Sequence, residues 1–201
     1  MLGLFRRAKQ PRALPEDELA RRLLAPGYRC ACCNEVLDAA NAVRLRPIGW
    51  PHPPAPEPED ALERSGDVIT ERYARRGRDM LVRAHLPIPV QGTEGHVFLS
   101  VWANLSLGDF ARFRSAQGRG DADRLGDLFA WLYSRVPAST GPVLTKGLLV
   151  PVSEGGMPVY WITDPKHPLH AAQLDGGMSA GDILALYEDL GAAGLVGHLR
   201  A

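Results

Sequence analysis

Three cysteines lie within four residues of this chain, and their spacing is the feature with the clearest chemical potential. Cys30 and Cys33 form a C-x-x-C pair, and Cys32 lies between them. A C-x-x-C turn supplies two of the four ligands that zinc takes in a tetrahedral protein site. The same spacing also serves thiol–disulfide chemistry. The cysteines alone therefore leave three interpretations open: a zinc knuckle, a redox pair, or plain reduced thiols.

A zinc site needs two further ligands from elsewhere in the chain, because no second C-x-x-C is present. The only closely spaced histidines are three residues apart in the segment DPKHPLH at 164–170. The predicted metal ligands are therefore Cys30, Cys33, His167 and His170, with His52 as a lesser option and zinc as the metal. We expect Cys32 to point away from this site, because it is adjacent to Cys33.

Two catalytic alternatives find less support in the sequence. In thiol redox proteins of the thioredoxin type, the C-x-x-C motif begins a helix that follows a buried strand. Here the helix-ending residues Pro26 and Gly27 precede the cysteines instead. Asp164, His167 and His170 would transfer protons only if they lined a pocket, and the simpler interpretation is a turn or cap in which Asp164 forms an Asx turn. No G-x-S-x-G, P-loop or G-x-G-x-x-G motif is present.

Composition limits the kinds of molecule that the protein could bind and the cellular compartment in which it is expected. Lysine plus arginine and aspartate plus glutamate both total 23, so the basic excess of a nucleic-acid-binding protein is missing. No stretch approaches the roughly 20 apolar residues of a membrane span. Clustered cysteines without distant partners favour reduced thiols, and hence a cytoplasmic protein.

The distribution of proline and charge predicts four regions. Residues 1–14 are predicted to form a flexible basic tail. Region 15–46 holds a helix that begins at Pro15, with acids in its first turn, followed by the cysteine knuckle. Six prolines between 47 and 58 predict an extended connector over 47–66. The main domain is predicted over 67–201.

The main domain alternates short apolar segments with turn residues. Strands are predicted over 68–74, 80–86, 96–105, 143–152 and 157–163. Pro87 and Pro89 are expected to end the second of these strands. The hairpin signal Glu154-Gly155-Gly156 joins the last two. Helices are predicted after Ser106, over 125–132 up to Pro137, and after Ser179. The predicted fold is α+β: a mostly antiparallel sheet with helices packed on one side, and the first helix and cysteine knuckle as an appendage.

The tryptophans divide between core and surface in this prediction. Trp102 lies on the strand predicted most strongly and Trp131 on a predicted helix, so both are expected in the core. Trp50 lies beside the proline-rich connector, where it either contacts a partner or attaches the connector to its own domain. We favour attachment.

An ordered set of segments resembles the uncharacterised bacterial family catalogued as domain of unknown function 2199 (DUF2199). The segments are YRCACC at 28–33, LPIPV at 86–90, VWANLS at 101–106 and HPLHAAQ at 167–173. In that family a glycine, and shortly after it a histidine, tend to follow the second cysteine, whereas Asn34 and Leu37 stand at those places here. The resemblance implies a shared fold and assigns no reaction.

The sequence thus favours a non-catalytic binding or interaction protein with a protein or small-molecule partner. The alternative is an enzyme or metal-binding protein that uses Cys30, Cys33 and a pocket near His167. These hypotheses differ in one geometric respect: whether the cysteines and His167 converge.

Overall fold

The computed structural model describes residues 14–50, 54–136, 144–153 and 156–201. The helices are α1 (Glu16–Leu24), α2 (Leu107–Arg119), α3 (Pro168–Leu174), α4 (Ala180–Asp189) and α5 (Ala193–Arg200). The strands are β1 (Tyr28–Arg29), β2 (Val36–Leu37), β3 (Val68–Ile69), β4 (Tyr73–Arg76), β5 (Asp79–Pro89), β6 (His96–Leu105), β7 (Leu128–Leu132), β8 (Thr145–Val150) and β9 (Val159–Ile162). Short 3-10 helices cover Ala39–Asn41, Glu59–Glu63 and Ala122–Leu125.

The main sheet has the order β3-β4-β5-β6-β7-β8-β9, and each neighbouring pair is antiparallel. One parallel pairing, His85 with Val159, joins β5 to β9 and closes the last five strands into a barrel. The α+β class is therefore confirmed, but the predicted antiparallel sheet is in fact a closed, mixed barrel. Because β5 to β9 form a closed barrel, β3 and β4 are the described strands that extend the sheet beyond it.

A single core joins the barrel to the helices. The inward residues of β5 to β9 alternate with outward ones, as the period of a strand requires. Fully or nearly fully buried examples are Leu86, Leu99, Val101, Ala130, Leu149 and Tyr160. The same cluster takes in buried side chains of all five helices, including Leu23, Phe113, Leu169, Ile183 and Val196. Helix α1 thus shares the core of the barrel, while the division of the chain into four regions stays a prediction.

A smaller cluster occupies the opposite face of the sheet. It consists of Ile69, Ala74, Leu81, Trp102 and Tyr133, against which Ile48 and Trp50 pack. Trp102 is buried, as predicted. Trp50 attaches the start of the connector to the sheet, which is the interpretation that the sequence favoured.

Strand β5 runs through the two prolines that were expected to end it. The N–H groups of alternate residues point to the same edge, and that of His85 donates to the Pro158 carbonyl at 2.8 Å. The backbone nitrogens of Pro87 and Pro89 therefore lie on the edge of β5 that faces β9. On that edge β9 pairs with His85 and does not extend to the two prolines. No ladder hydrogen bond is lost there, so the strand continues.

The predicted helix over 125–132 is wrong, because this segment holds strand β7. Its apolar residues fit a helical spacing, but Leu128, Ala130 and Leu132 also alternate with period two and are the buried ones. Phe129 and Trp131 point outward and are 52% and 40% exposed, so the prediction of a buried Trp131 is also wrong. His52, Pro137, Glu154 and Gly155 lie outside the described residues, as does the predicted tail up to residue 13.

Several boundaries also differ from the sequence-based prediction. The single strand predicted over 68–74 is in fact interrupted, and its residues belong to the two strands of the β3–β4 hairpin. The chain turns at Thr70, whose hydroxyl accepts the Tyr73 N–H at 2.9 Å. Helices α3 and α5 were not predicted. The serine caps of α2 and α4 are confirmed: Ser106 and Ser179 each accept the N–H three residues on. Among the described residues, no helix is long and apolar enough to cross a membrane.

Candidate metal centre

The cysteines occupy the turn of the small β1–β2 hairpin. Two hydrogen bonds shape this turn: Cys30 N–H donates to the Glu35 carbonyl at 2.9 Å, and Asn34 N–H donates to the Cys30 carbonyl at 2.8 Å. Asn34 has a left-handed φ of 61°. Asparagine tolerates this conformation better than other residues with a Cβ, apart from aspartate. The tight turn brings three thiols to one side of the hairpin.

Helix α5 lies against this hairpin and against α1. Arg22 of α1 donates to the Leu199 carbonyl at 2.9 Å, and its guanidinium lies 5.6 Å from the centre of the Tyr28 ring. Val196 and Leu199 of α5 are buried in the core. These contacts leave His198, in the last turn of α5, directed toward the thiols.

His198 and the three cysteines form one group of possible metal ligands. All four donor atoms lie within 4.8 Å of one another. The His198 Nδ1 is 3.6 Å from the Cys32 Sγ and 3.6 Å from the Cys33 Sγ. The Cys30 and Cys32 sulfurs are 2.9 Å apart. All three cysteines are free; Cys30 is buried, and the other two are exposed.

The other ring nitrogen of His198 faces a carboxylate. Its Nε2 lies 3.6 Å from the Glu35 Oε2. A histidine that binds a metal commonly directs its second nitrogen to a carboxylate, which fixes the tautomer and makes the ligating nitrogen more basic. The His198 ring is thus oriented with Nε2 toward Glu35 and Nδ1 toward the thiols.

The thiols are electrostatically coupled. The Cys32 thiol donates to the Cys30 sulfur, and this hydrogen bond lowers the pKa of Cys30 to about 6. Because Cys32 supplies the proton, the same contact raises the pKa of Cys32 to about 12. The lowered pKa favours the Cys30 thiolate at neutral pH, and binding of a metal cation by Cys32 would release its proton.

Two of the three distances given above between donor atoms agree with a tetrahedral zinc site. With Zn–S near 2.3 Å and Zn–N near 2.0–2.1 Å, a sulfur and a nitrogen ligand lie about 3.6 Å apart. Both distances from His198 Nδ1 to sulfur match this value. The Cys30–Cys32 sulfur pair is closer than the roughly 3.8 Å expected for two thiolates on zinc. Cys32 is exposed, so a small rotation of its side chain relieves the difference.

The structure brings together only half of the ligand set predicted from the sequence. Cys30 and Cys33 are in the group, whereas His167 and His170 are not. The His167 Nδ1 accepts the Leu169 N–H at 3.2 Å and caps α3. Burial lowers the pKa of His167, in keeping with a neutral acceptor. Asp164 accepts the Lys166 N–H in an Asx turn, as the simpler interpretation held.

Two features of the site differ from the sequence-based expectation. Cys32 does not point away: its sulfur contacts that of Cys30 and lies near His198. His198 itself was missed, because it is 165 residues from Cys33 and lies on a helix that was not recognised. The sequence contained one signal for this helix: the spacing of Leu195, Val196 and Leu199 is that of an apolar face on a short helix.

Comparison with protein families places this geometry in context. The model of the family described as an uncharacterized protein conserved in bacteria, DUF2199, matches residues 29–177. The chain belongs to this family. The residues that match the DUF2199 model include all three cysteines, while His198 lies beyond the last matched residue. Neither the curated proteins nor the solved structures gave a significant match.

Two positions near the cysteines differ from the pattern that the resemblance implied. The sequence has Asn34 where the resemblance implied a glycine after the second cysteine, and this is the position with the left-handed φ. Asparagine can adopt that conformation, so the turn is retained. Leu37 stands where the resemblance implied a histidine, and the imidazole near the thiols comes from α5.

Proposed function

We propose that this protein binds one zinc ion through Cys30, Cys32, Cys33 and His198, and that the ion has a structural role. It would join the β1–β2 hairpin to α5. The observation that carries the proposal is the position of the His198 ring. Its Nδ1 lies 3.6 Å from two thiols, while its Nε2 lies 3.6 Å from Glu35.

The donor set supports a structural rather than a catalytic role. Four protein ligands complete a tetrahedral zinc shell, and catalytic sites keep one position open for water or substrate. Three thiolates and one imidazole also suit zinc better than magnesium or calcium, which prefer oxygen ligands. The proposed function is therefore that of a non-catalytic binding protein, whose partner is a protein or a small molecule.

Charge and thiol state support two further parts of the proposal. Equal numbers of basic and acidic residues provide no general attraction for nucleic acid. Zinc–thiolate ligation requires reduced cysteines, and all three are free. A reducing compartment such as the cytoplasm suits this state.

A second function is favoured by a specific contact, the 2.9 Å approach of the Cys30 and Cys32 sulfurs. Together with the lowered pKa of Cys30, it suits a thiol pair that reduces a partner's disulfide: the two thiols become one disulfide as the partner's disulfide becomes two thiols. Burial of Cys30 argues against it, because the low-pKa sulfur is the one that solvent reaches least.

The test is metal analysis of the full chain purified under reducing conditions. We expect about one zinc per chain, and well below half that amount in Cys33→Ala and His198→Ala. His170→Ala is the matched control, since it removes a histidine that the sequence suggested and the site does not contain. Its zinc content should equal that of the wild type.

Cobalt substitution sharpens the same test. Tetrahedral thiolate ligation gives cobalt intense visible absorption bands, and His198→Ala should weaken them. Two outcomes would overturn the proposal: wild-type protein without metal, or zinc lost in His170→Ala and kept in His198→Ala. Metal-free wild type that forms a reversible Cys30–Cys32 disulfide would establish the second function instead.

A further inference from the structure

A cavity of about 450 Å³ lies between α2 and the strands β4 and β5. This volume falls within the range of about 300–1,000 Å³ that small-molecule sites occupy. Its lining includes Leu62, Met80, Leu107, Phe110, Arg75 and Arg114. None of these residues belongs to the candidate metal centre, so the cavity can be considered independently of zinc.

The wall of the cavity is apolar and partly adaptable. Leu107, the first residue of α2, is 67% exposed. Phe110 is fixed by an edge-to-face contact with Tyr73, with ring centres 5.7 Å apart. Met80 has a flexible thioether side chain that adjusts to irregular shapes. An apolar ligand would cover Leu107 and leave the rest of the wall in place.

Arg75 gives the cavity a fixed positive charge. Its guanidinium donates to the carbonyls of Leu62 and Gly66, at 3.0 Å each, and also to that of Arg64. Carbonyl groups hold the side chain in place but do not neutralise it. Within the described ranges Arg75 forms no ion pair.

Arg114 supplies the donors that a ligand would meet. Its Nη1 lies 3.0 Å from the Glu63 carboxylate, and its guanidinium lies 5.7 Å from the centre of the Tyr73 ring. In the part of the chain that the structure describes, Nε and Nη2 have no hydrogen-bond partner. Glu63 therefore offsets one of the two guanidinium charges at this cavity, and a net positive charge remains.

We propose that this cavity binds a small amphipathic carboxylate. Its unbranched apolar chain would pack against Leu107, Met80 and Phe110, and its carboxylate would pair with Arg114. The planar guanidinium matches a carboxylate through two parallel hydrogen bonds, which a hydroxyl group cannot reproduce. The cavity thereby selects both an apolar body and a negative head group.

The experiment compares decanoate with decanol, which has the same chain and no charge. Each is titrated into isotope-labelled full-length protein, followed by amide resonances. We expect decanoate to shift amides of α2, β4 and β5, and to bind about tenfold more tightly than decanol. Arg114→Met should lower decanoate affinity about tenfold and leave decanol affinity unchanged.

Matched variants separate recognition from folding. Arg112→Met is the control, since Arg112 lies on the same helix and pairs with Asp109 outside the cavity. It should bind decanoate as the wild type does. Leu107→Ser changes an exposed side chain and should weaken both ligands. Equal affinity for decanoate and decanol, equal losses in Arg112→Met and Arg114→Met, or shifts confined to other elements would each overturn the proposal.

Discussion

The barrel and the cysteine hairpin are stabilised in different ways. In the barrel, strands of up to 11 residues pair along their length and bury apolar side chains such as Leu86 and Tyr160. In the hairpin, each strand has two residues, and Val36 is 52% exposed. An isolated hairpin of that size is not stable in water. The barrel is thus stabilised by its own pairing and burial, whereas the hairpin would gain most from the proposed zinc link to α5.

The largest effect should come from the barrel core. Leu86→Ala removes a fully buried side chain from β5, and we expect it to lower the free energy of unfolding by about 2–5 kcal/mol. Chemical denaturation measures this loss. The zinc content of the folded variant should stay unchanged. Val36→Ala in the hairpin is the control and should change stability by less than about 0.5 kcal/mol. Loss of zinc from folded Leu86→Ala would show that the two regions are not independent.

A smaller, local effect should follow removal of the metal. After chelation we expect amide hydrogen exchange to accelerate by about tenfold or more at Cys30, Asn34 and α5, because the hairpin loses its link to the helix. Exchange at His85, in the barrel, should not change. In His198→Ala chelation should have no further effect. Uniform acceleration across the barrel would contradict the separation of the two regions.

The smallest effect concerns one proton within the hairpin. In metal-free protein, ultraviolet thiolate absorbance should show one group titrating near pH 6, since the Cys32 thiol lowers the pKa of Cys30 to about 6. The low folded-state value favours the folded hairpin at high pH, and this contribution is lost as pH falls through about 6. Cys32→Ala should raise the midpoint. Cys33→Ala should leave it low, and an equal rise in both variants would contradict the assignment.

Local signals predicted much of the fold correctly. Strand β6 has the predicted bounds of 96–105, because a long apolar segment lies between a glycine-rich loop and the cap residue Ser106. The caps at Ser106 and Ser179 are local hydrogen bonds that residue type alone indicates. The C-x-x-C spacing predicted two of the four residues in the candidate metal-binding group, Cys30 and Cys33.

What the sequence could not predict depends on contacts between distant segments. Barrel closure rests on the pairing of His85 with Val159, which no local pattern indicates. Helix α5 contains Gly194 and Gly197, which lower its intrinsic helix propensity, so packing rather than propensity forms it. His198 enters the site only after α5 packs against α1. The ligand set therefore required the tertiary structure.

The prolines of β5 have a consequence for association between chains. A strand edge with free N–H groups is a template on which another molecule can add a strand. At Pro87 and Pro89 this edge has no donors, and the Pro89 carbonyl already accepts the Met178 N–H at 2.9 Å. The longest described strand therefore lacks the donors for edge-to-edge association at 87 and 89, and Gln173 of α3 also donates to the Pro87 carbonyl at 3.2 Å.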